Sequence, residues 1–259
     1  MQELSSAYAA VATQLANTPF AKIRYLAETA STNEDAGALL GEREALGLTI
    51  VTGFQRAGAG RKGRRWLAAP GSSLLFTTIL PDAQPTALLW LVPFWIACVV
   101  HDALLELGLE TTAQWPNDLL LDGRKLCWML AISRVVGESA YVACGVGINL
   151  HRYPDAENAV SPPPAFCDDR RAIGAPELLL AILSGAHRAA PLLRDAEELV
   201  AQWERRAKLP GMPYRLLPEG APEAFEARAL GLEMGGALRV ERSDASIESV
   251  AIGDVRALR

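Results

Sequence analysis

The sequence predicts an α+β protein with a large N-terminal domain and a small C-terminal β-barrel. Up to residue 209, strand-like and helix-like segments alternate without the regular βαβ rhythm of a parallel sheet. After Pro210-Gly211, short strand-like segments follow one another closely, which is typical of a small barrel. Half of the residues are hydrophobic, enough for one substantial core. We therefore predict two domains, 1–209 and 210–259.

Hydrophobic periodicity and turn residues predict the individual elements. In the large domain we expect helices over 3–16, 33–40, 86–107, 176–190 and 194–207, and strands over 48–52, 73–80, 119–121, 125–134 and 141–148. In the small domain we expect strands over 214–217, 223–230, 237–241, 247–252 and 254–258. Ser31 stands three places before Glu34, the spacing of a capping box at a helix start. Asp122-Gly123 is a dipeptide favoured in tight hairpin turns.

Composition excludes several classes of function. The net charge of −5 argues against a nucleic-acid coat or a polybasic membrane anchor, so we expect neither nucleic acid nor membrane as a partner. The four cysteines are scattered and there are only three histidines, which favours reduced thiols in the cytoplasm over disulfides or a histidine metal site. The N-terminus lacks the features of a signal peptide. The apolar run Ala87–Val100 contains Pro93 and is too short to span a membrane, so we interpret it as a core helix.

Residues 55–66 form a loop rich in glycine and arginine directly after a strand. It contains Arg56, Arg61, Lys62, Arg64, Arg65, Gly58, Gly60 and Gly63. Glycines let backbone N–H groups converge on an anion and arginines add paired donors, which suits a phosphate or an acyl phosphate. A dinucleotide fingerprint is excluded because no helix follows, and a P-loop because Arg64-Arg65 replaces Lys-Ser/Thr. A solvated basic loop remains the alternative from composition alone.

Five motifs follow one another along the chain: Ser31-Thr32-Asn33, the loop from Gln55 to Trp66, Trp115-Pro-Asn-Asp118, Gly123-Arg-Lys125 and Gly145-x-Gly-Ile-Asn149. Their order and spacing resemble those of the biotin protein ligases. The resemblance runs from about residue 22 to the C-terminal Gly253-Asp-Val-Arg. It implies a mixed-sheet catalytic domain of the biotin/lipoate ligase type followed by an SH3-like barrel. The winged-helix DNA-binding domain of some relatives has no counterpart in the sequence.

The resemblance implies a two-step reaction with biotin, ATP and Mg²⁺. Biotin and MgATP first give biotinyl-5′-AMP and pyrophosphate. A lysine of a biotin carboxyl carrier protein then attacks this mixed anhydride and releases AMP. Fixed cations and backbone donors would offset the repulsion between the carboxylate and the α-phosphate. A homodimer is a further expectation from the resemblance.

The resemblance also assigns site residues. Catalytic residues would be Lys125, Arg61 and Asp118; biotin-binding residues Ser31, Thr32, Asn33, Gln55, Gly58, Arg61, Lys125 and Gly145; and ATP- or adenylate-binding residues Arg64, Trp66, Asn117 and Asn149. Lys125 and Arg61 would lie at the junction of carboxylate and phosphate. Asp118 would either help hold Mg²⁺ or steer the incoming lysine, and the sequence does not choose between these roles.

Four residues depart from the family pattern. Ala59 replaces an arginine, Gln114 a lysine and Trp128 a glycine, and Arg259 is displaced by one place. If its strand is regular, Trp128 points to the face opposite Lys125. These departures keep two alternatives open: a ligase-like protein that binds an adenylate or carrier without transfer, and a ligase for another acyl group such as lipoate. Against the second, the Arg-Arg-x-x-Gly-Gly-Gly stretch of lipoate ligases is absent.

Overall fold

The computed structural model describes residues 2–58, 68–154, 163–251 and 253–257. The strands of the large domain are β1 (Lys22–Leu26), β2 (Leu48–Thr52), β3 (Ser73–Ile79), β4 (Gln84–Pro85), β5 (Thr112–Gln114), β6 (Asp118–Leu121), β7 (Arg124–Val136) and β8 (Ser139–Asn149). The α-helices are α1 (Gln2–Gln14), α2 (Thr32–Leu39), α3 (Val92–Glu106), α4 (Ala175–Ala189) and α5 (Ala196–Arg206). The predicted helices and strands of this domain are confirmed to within a few residues, except that the α-helix predicted over 86–107 begins at Val92.

The large domain is built on one mixed sheet of eight strands. Its order is β1-β2-β3-β8-β7-β6-β5, and β4 pairs with β8. Only β1 and β2 are parallel among the described pairs; the others are antiparallel. The mixed α+β architecture is therefore confirmed. Strands β1, β4 and β5 were not predicted, because β1 alternates with charged residues at a sheet edge and the other two are very short.

The two faces of this sheet are covered unequally. One face carries Phe76, Val146 and Met129 and packs on α1, α3 and α4 in the main core. The other face, which we call the α2 face, carries Ile50, Ile79 and Ala143 and packs on α2. Because α2 is only eight residues long, it covers part of this face. The uncovered part holds the candidate site.

The long apolar helix begins later than its sequence suggests. Residues Thr86–Leu91 form a 3₁₀ helix, and α3 starts at Val92 with Pro93 in its first turn. Proline is tolerated there because the first backbone N–H groups of a helix have no intrahelical acceptor. The whole segment Thr86–Glu106 is long and apolar enough to cross a membrane, but most of it is buried inside the fold, as in a core helix.

The small domain is an antiparallel sheet of five strands. They are β9 (Pro213–Pro218), β10 (Phe225–Leu232), β11 (Leu238–Arg242), β12 (Ile247–Val250) and β13 (Gly253–Ala257), in the order β12-β11-β10-β9-β13. All five predicted strands are confirmed. Among the described residues β12 and β13 remain as edges, so the pairing forms an open sheet, consistent with an SH3-like domain.

The small domain packs closely on the large one. Trp115 Nε1 donates to Gly236 O at 3.0 Å, and the N–H of Leu232 donates to Glu204 Oε1 at 2.7 Å. The predicted boundary at residue 209 falls in the connection between α5 and β9. It stays a prediction, since one hydrophobic cluster includes residues from both sides, such as Trp203 and Tyr214.

Candidate active site

A bulge in β7 puts Lys125 and Trp128 on the same face of the sheet. Asp118 pairs with Trp128, Leu120 pairs with Lys125, and the register shifts between these pairs. Paired residues of antiparallel strands point to one face, as do residues two apart on a strand. Because β7 contributes one extra residue here, the strand is not regular, and the expectation that Lys125 points away from Trp128 is wrong.

Lys125 and Asp118 form an ion pair on this face. Lys125 Nζ lies 2.8 Å from Asp118 Oδ1, and the aspartate side chain is only 16% exposed. A partly buried carboxylate holds the ammonium in one place better than a fully exposed one, where water screens the attraction. The pair therefore presents an oriented cation beside the cleft described next.

A network of polar side chains forms the closed end of a cleft on the α2 face. Gln55 Oε1 accepts from the backbone N–H of Thr32 at 2.8 Å and from its hydroxyl at 3.1 Å. Thr77 Oγ1 lies 2.8 Å from both Thr32 Oγ1 and Asn33 Oδ1. These groups fix one another's rotamers. They are preorganised to recognise a ligand with its own donors and acceptors.

Ser31 belongs to this cleft and not to a capping box. It precedes α2 in an extended conformation, but its side chain makes no capping hydrogen bond. The capping-box prediction is therefore wrong, although α2 does begin at Thr32. Ser31 is buried and lines the cleft.

Apolar and glycine residues form the rest of the cleft wall. The lining residues are Ser31, Thr32, Asn33, Gln55, Leu75, Trp128, Gly145, Val146 and Gly147, around roughly 270 Å³ that is partly open to solvent. Trp128 pairs with Gly147, and Gly145 pairs with both Thr77 and Leu130. A Cβ on Gly145 would lie 2.7 Å from Asn33 Cγ, so the glycine is what lets α2 approach the sheet. The cleft thus combines a polar end with an apolar wall, as ligand pockets generally do.

The two predicted adenylate-binding asparagines are held by backbone groups. Asn117 Nδ2 donates to Met129 O at 2.6 Å, and Asn149 Nδ2 donates to Ala165 O at 3.0 Å. Both residues are buried. Each side-chain oxygen remains to accept from a ligand. That these two asparagines bind the adenylate stays a prediction.

Part of the predicted site lies outside the described residues. This applies to Arg61, Arg64 and Trp66, and to the departures Ala59 and Arg259. The loop's first residues are described: Gln55 forms a parallel bridge with Thr29, and Gly58 is buried. The entry to the glycine-arginine loop is therefore anchored beside the polar end of the cleft.

Sequence reasoning missed three residues of this region. Thr77 and Leu75 lie two apart on β3, and only the pairing with β8 shows that they face the cleft. Ala165 contacts the site through its backbone alone, which no side-chain pattern reveals. Gln114, a departure from the family, points elsewhere: its Nε2 lies 3.4 Å from Val255 O of the small domain.

Cysteine chemistry and a protein-built metal centre find no support around the site. Burial raises the pKa of the Cys127 thiol well above its usual value. Burial, with Asp168 and Asp169 nearby, raises the pKa of Cys167 to about 12. Both are therefore protonated at neutral pH and unsuited to act as nucleophiles. Within the described ranges, no group of three or more His, Cys, Asp or Glu side chains could hold a metal ion.

The fold and the cleft define a class of α+β protein that binds a small molecule on one sheet face, next to an oriented lysine. Comparisons with known proteins specify the class. The model of the biotin/lipoate A/B protein ligase family matches residues 26–149. A biotin--[acetyl-CoA-carboxylase] ligase of Paracoccus denitrificans is 34% identical over 172 residues, covering 62% of this chain and 69% of that protein.

Two further relatives agree. The bifunctional ligase/repressor BirA of Escherichia coli K12 is 29% identical over 217 residues, covering 82% of this chain and 67% of BirA. The structure of the biotin protein ligase from Aquifex aeolicus in complex with biotin and ATP superimposes with a TM-score of 0.73 at 22% identity, over 92% of this chain and 99% of that one. The chain belongs to the biotin protein ligase family. It spans about two thirds of the length of the two curated relatives.

Proposed function

We propose that this chain attaches biotin to a lysine of a biotin carboxyl carrier protein, at the expense of ATP and through biotinyl-5′-AMP. The observation that carries the proposal is the cleft. Its polar end, around Ser31, Thr32 and Gln55, lies on the same sheet face as Lys125, which shares that face with the cleft residue Trp128. An acid bound with its polar ring at the closed end would direct its carboxylate along Trp128 towards Lys125. The names of the relatives support the same activity.

In the first step, a carboxylate oxygen of biotin attacks the α-phosphorus of ATP. The new bond is an acyl phosphate, and the bond to pyrophosphate breaks. The Lys125 ammonium offsets the negative charge that the two anions bring together, and Asp118 keeps it in place. We propose that Arg61 and Arg64 add cations from the loop, that Trp66 packs on the adenine, and that Asn117 and Asn149 contact the adenylate.

In the second step, the neutral amine of the carrier lysine attacks the acyl carbon. An amide forms, AMP leaves with the bonding electrons, and the amine loses a proton. Bound Mg²⁺ would neutralise phosphate charge. The residues fit an ion carried mainly by the nucleotide, because Mg²⁺ in such sites needs only one or two carboxylates besides phosphate oxygens, and Asp118 is the carboxylate next to Lys125.

The setting and the partners of this reaction are also proposals. We place the reaction in the cytoplasm, since the four cysteines are free. We expect no nucleic-acid or membrane partner. We propose that two copies pair through β7: beyond Trp128 its pairing with β6 ends, and Val135 and Val136 are exposed. Sedimentation at increasing protein concentration tests this pairing, and a single monomeric species throughout would contradict it.

Mass spectrometry of the acceptor tests the proposed function. Purified carrier domain is incubated with this protein, MgATP and either biotin or lipoate. We expect a mass increase of one biotinyl group, with biotin alone. A lipoyl increase would assign a different acyl group. No increase, with the acceptor shown competent by another biotin ligase, would support binding without transfer.

A further inference from the structure

The segment 163–169 crosses the ends of β7 and β8 and joins two predicted site residues. The N–H of Ala165 donates to Lys125 O at 2.8 Å. The carbonyl of the same residue accepts from Asn149 Nδ2 at 3.0 Å. The backbone of one residue therefore links the Lys125 backbone to the side-chain amide of Asn149, while the pairing of Cys127 with Ile148 fixes the spacing of the two strands. A displacement of this segment would release or reorient the Asn149 amide beside Lys125.

The Asp169 carboxylate makes several of the contacts that hold this segment in place. Asp169 Oδ2 accepts from Arg124 Nη2 at 2.7 Å and from the backbone N–H of Phe166 at 3.2 Å. Asp169 Oδ1 lies 2.8 Å from Arg152 Nη2 and accepts from Arg152 Nε at 2.9 Å. The aspartate side chain is only 7% exposed. We call Asp169, Arg124, Arg152 and Phe166 the Asp169 brace.

The brace connects both strands to the crossing segment. Arg124 is the first residue of β7, next to Lys125, and its Nη1 also donates to Pro164 O at 3.1 Å. Arg152 follows β8, and its guanidinium lies 5.4 Å from the Phe166 ring centre. Without the carboxylate, the guanidinium groups of Arg124 and Arg152 would both lose their ion pair with Asp169. Both the charge and the shape of the Asp169 side chain are thus needed to hold the segment 163–169 against the two strands.

We propose that Asp169 is a positioning residue for adenylate formation: through the segment 163–169 it holds the Asn149 side chain in the position relative to Lys125 that the adenylate requires. This inference rests on the proposed function. None of the four brace residues lines the cleft. A substitution in the brace should therefore weaken the use of ATP and leave biotin affinity unchanged. A general loss of structure would lower both.

The test compares Asp169→Asn with Asp122→Asn in the full chain. Asparagine keeps the shape of the side chain but removes the charge that faces both arginines. The control removes a nearby exposed ion pair, in which Asp122 of the β6–β7 turn lies 2.9 Å from Arg170 just after the segment. Asparagine also tolerates the positive φ of 50° at position 122. Biotin-dependent exchange of pyrophosphate into ATP is measured, with biotin affinity by calorimetry and folding by circular dichroism.

We expect Asp169→Asn to lower kcat/KM for ATP by about 10- to 100-fold, the effect of a small misplacement of reacting groups. Its biotin Kd should stay within about twofold of the wild type, and Asp122→Asn should match the wild type throughout. If Asp169→Asn does not fold, Arg152→Gln replaces it. This variant removes one of the two arginines paired with Asp169, at a half-exposed position, and should give a smaller change in the same direction.

Three results would overturn the proposal, and they are distinguishable. If Asp169→Asn exchanges pyrophosphate at the wild-type rate and with the wild-type KM for ATP, the positioning role is refuted and the proposed function is not. Arg152→Gln gives the same test if only that variant folds. An equal loss of biotin affinity would assign Asp169 a general structural role. Absence of exchange in the wild type would refute the proposed function, and the role of Asp169 with it.

Discussion

Gly145→Ala tests whether the close approach of α2 to the sheet shapes the biotin cleft. A Cβ built on Gly145 would lie 2.7 Å from both Cγ and Nδ2 of Asn33, and closer still to Oδ1. Carbon atoms in proteins do not pack at such distances, so Asn33 must move. It would lose its contact with Thr77 Oγ1, now 2.8 Å, and its Nδ2 contact with Leu130 O, now 3.5 Å.

The magnitude follows from these contacts. A lost hydrogen bond costs about 0.5–1.5 kcal/mol, and overpacking in a well-packed region about 1–3 kcal/mol. The free energy of unfolding should therefore fall by about 1–3 kcal/mol, and each kcal/mol lowers Tm by about 2–4 °C in a chain of this size. Since Asn33 and Gly145 both line the cleft, biotin should bind at least about tenfold more weakly, or 1.4 kcal/mol.

Calorimetric titration with biotin and thermal unfolding provide the assay. Gly185→Ala is the matched control, because the same methyl group would meet Val99 Cγ1 at an ordinary 3.7 Å. Gly185 lies within α4, where alanine is favoured over glycine by about 1 kcal/mol. This variant should keep the wild-type affinity and a Tm at least as high. If Gly145→Ala binds biotin with wild-type affinity, the cleft is not where biotin binds or Asn33 does not shape it.

Three further substitutions test other parts of the structure. Lys125→Ala should slow pyrophosphate release by about 10²–10³-fold with the fold intact, because it removes a cation from the developing charge; near wild-type activity would exclude Lys125 from the site. Trp128→Gly should change biotin affinity by less than about tenfold in calorimetry, because the polar end of the cleft remains. Undetectable binding to the wild type, restored by this glycine, would show that the indole blocks the cleft. Trp115→Phe leaves Gly236 O without its donor and should cost about 1–3 kcal/mol by scanning calorimetry. Biotin affinity should not change, and an unchanged Tm would mean that this link contributes no stability.

The sequence determined the features that depend on local patterns. Alternation and turn chemistry placed the β6–β7 hairpin correctly: Asp122 and Gly123 have φ values of 50° and 71°, as a tight two-residue turn requires. The five short strands after Pro210-Gly211 were also predicted, since each is bounded by turn residues. Such patterns are readable because neighbours in the chain decide the backbone conformation there.

Only the tertiary structure decided which side chains meet. The bulge that turns Lys125 to the face of Trp128 follows from pairing with β6, and neither strand alone reveals an extra residue. The capping spacing at Ser31 is present in the sequence, but its side chain is left for the cleft. Asp169 holds the segment beside Lys125 from more than forty positions away. The direction of a side chain on a strand depends on pairing register, and register is set by contacts between segments distant in the chain.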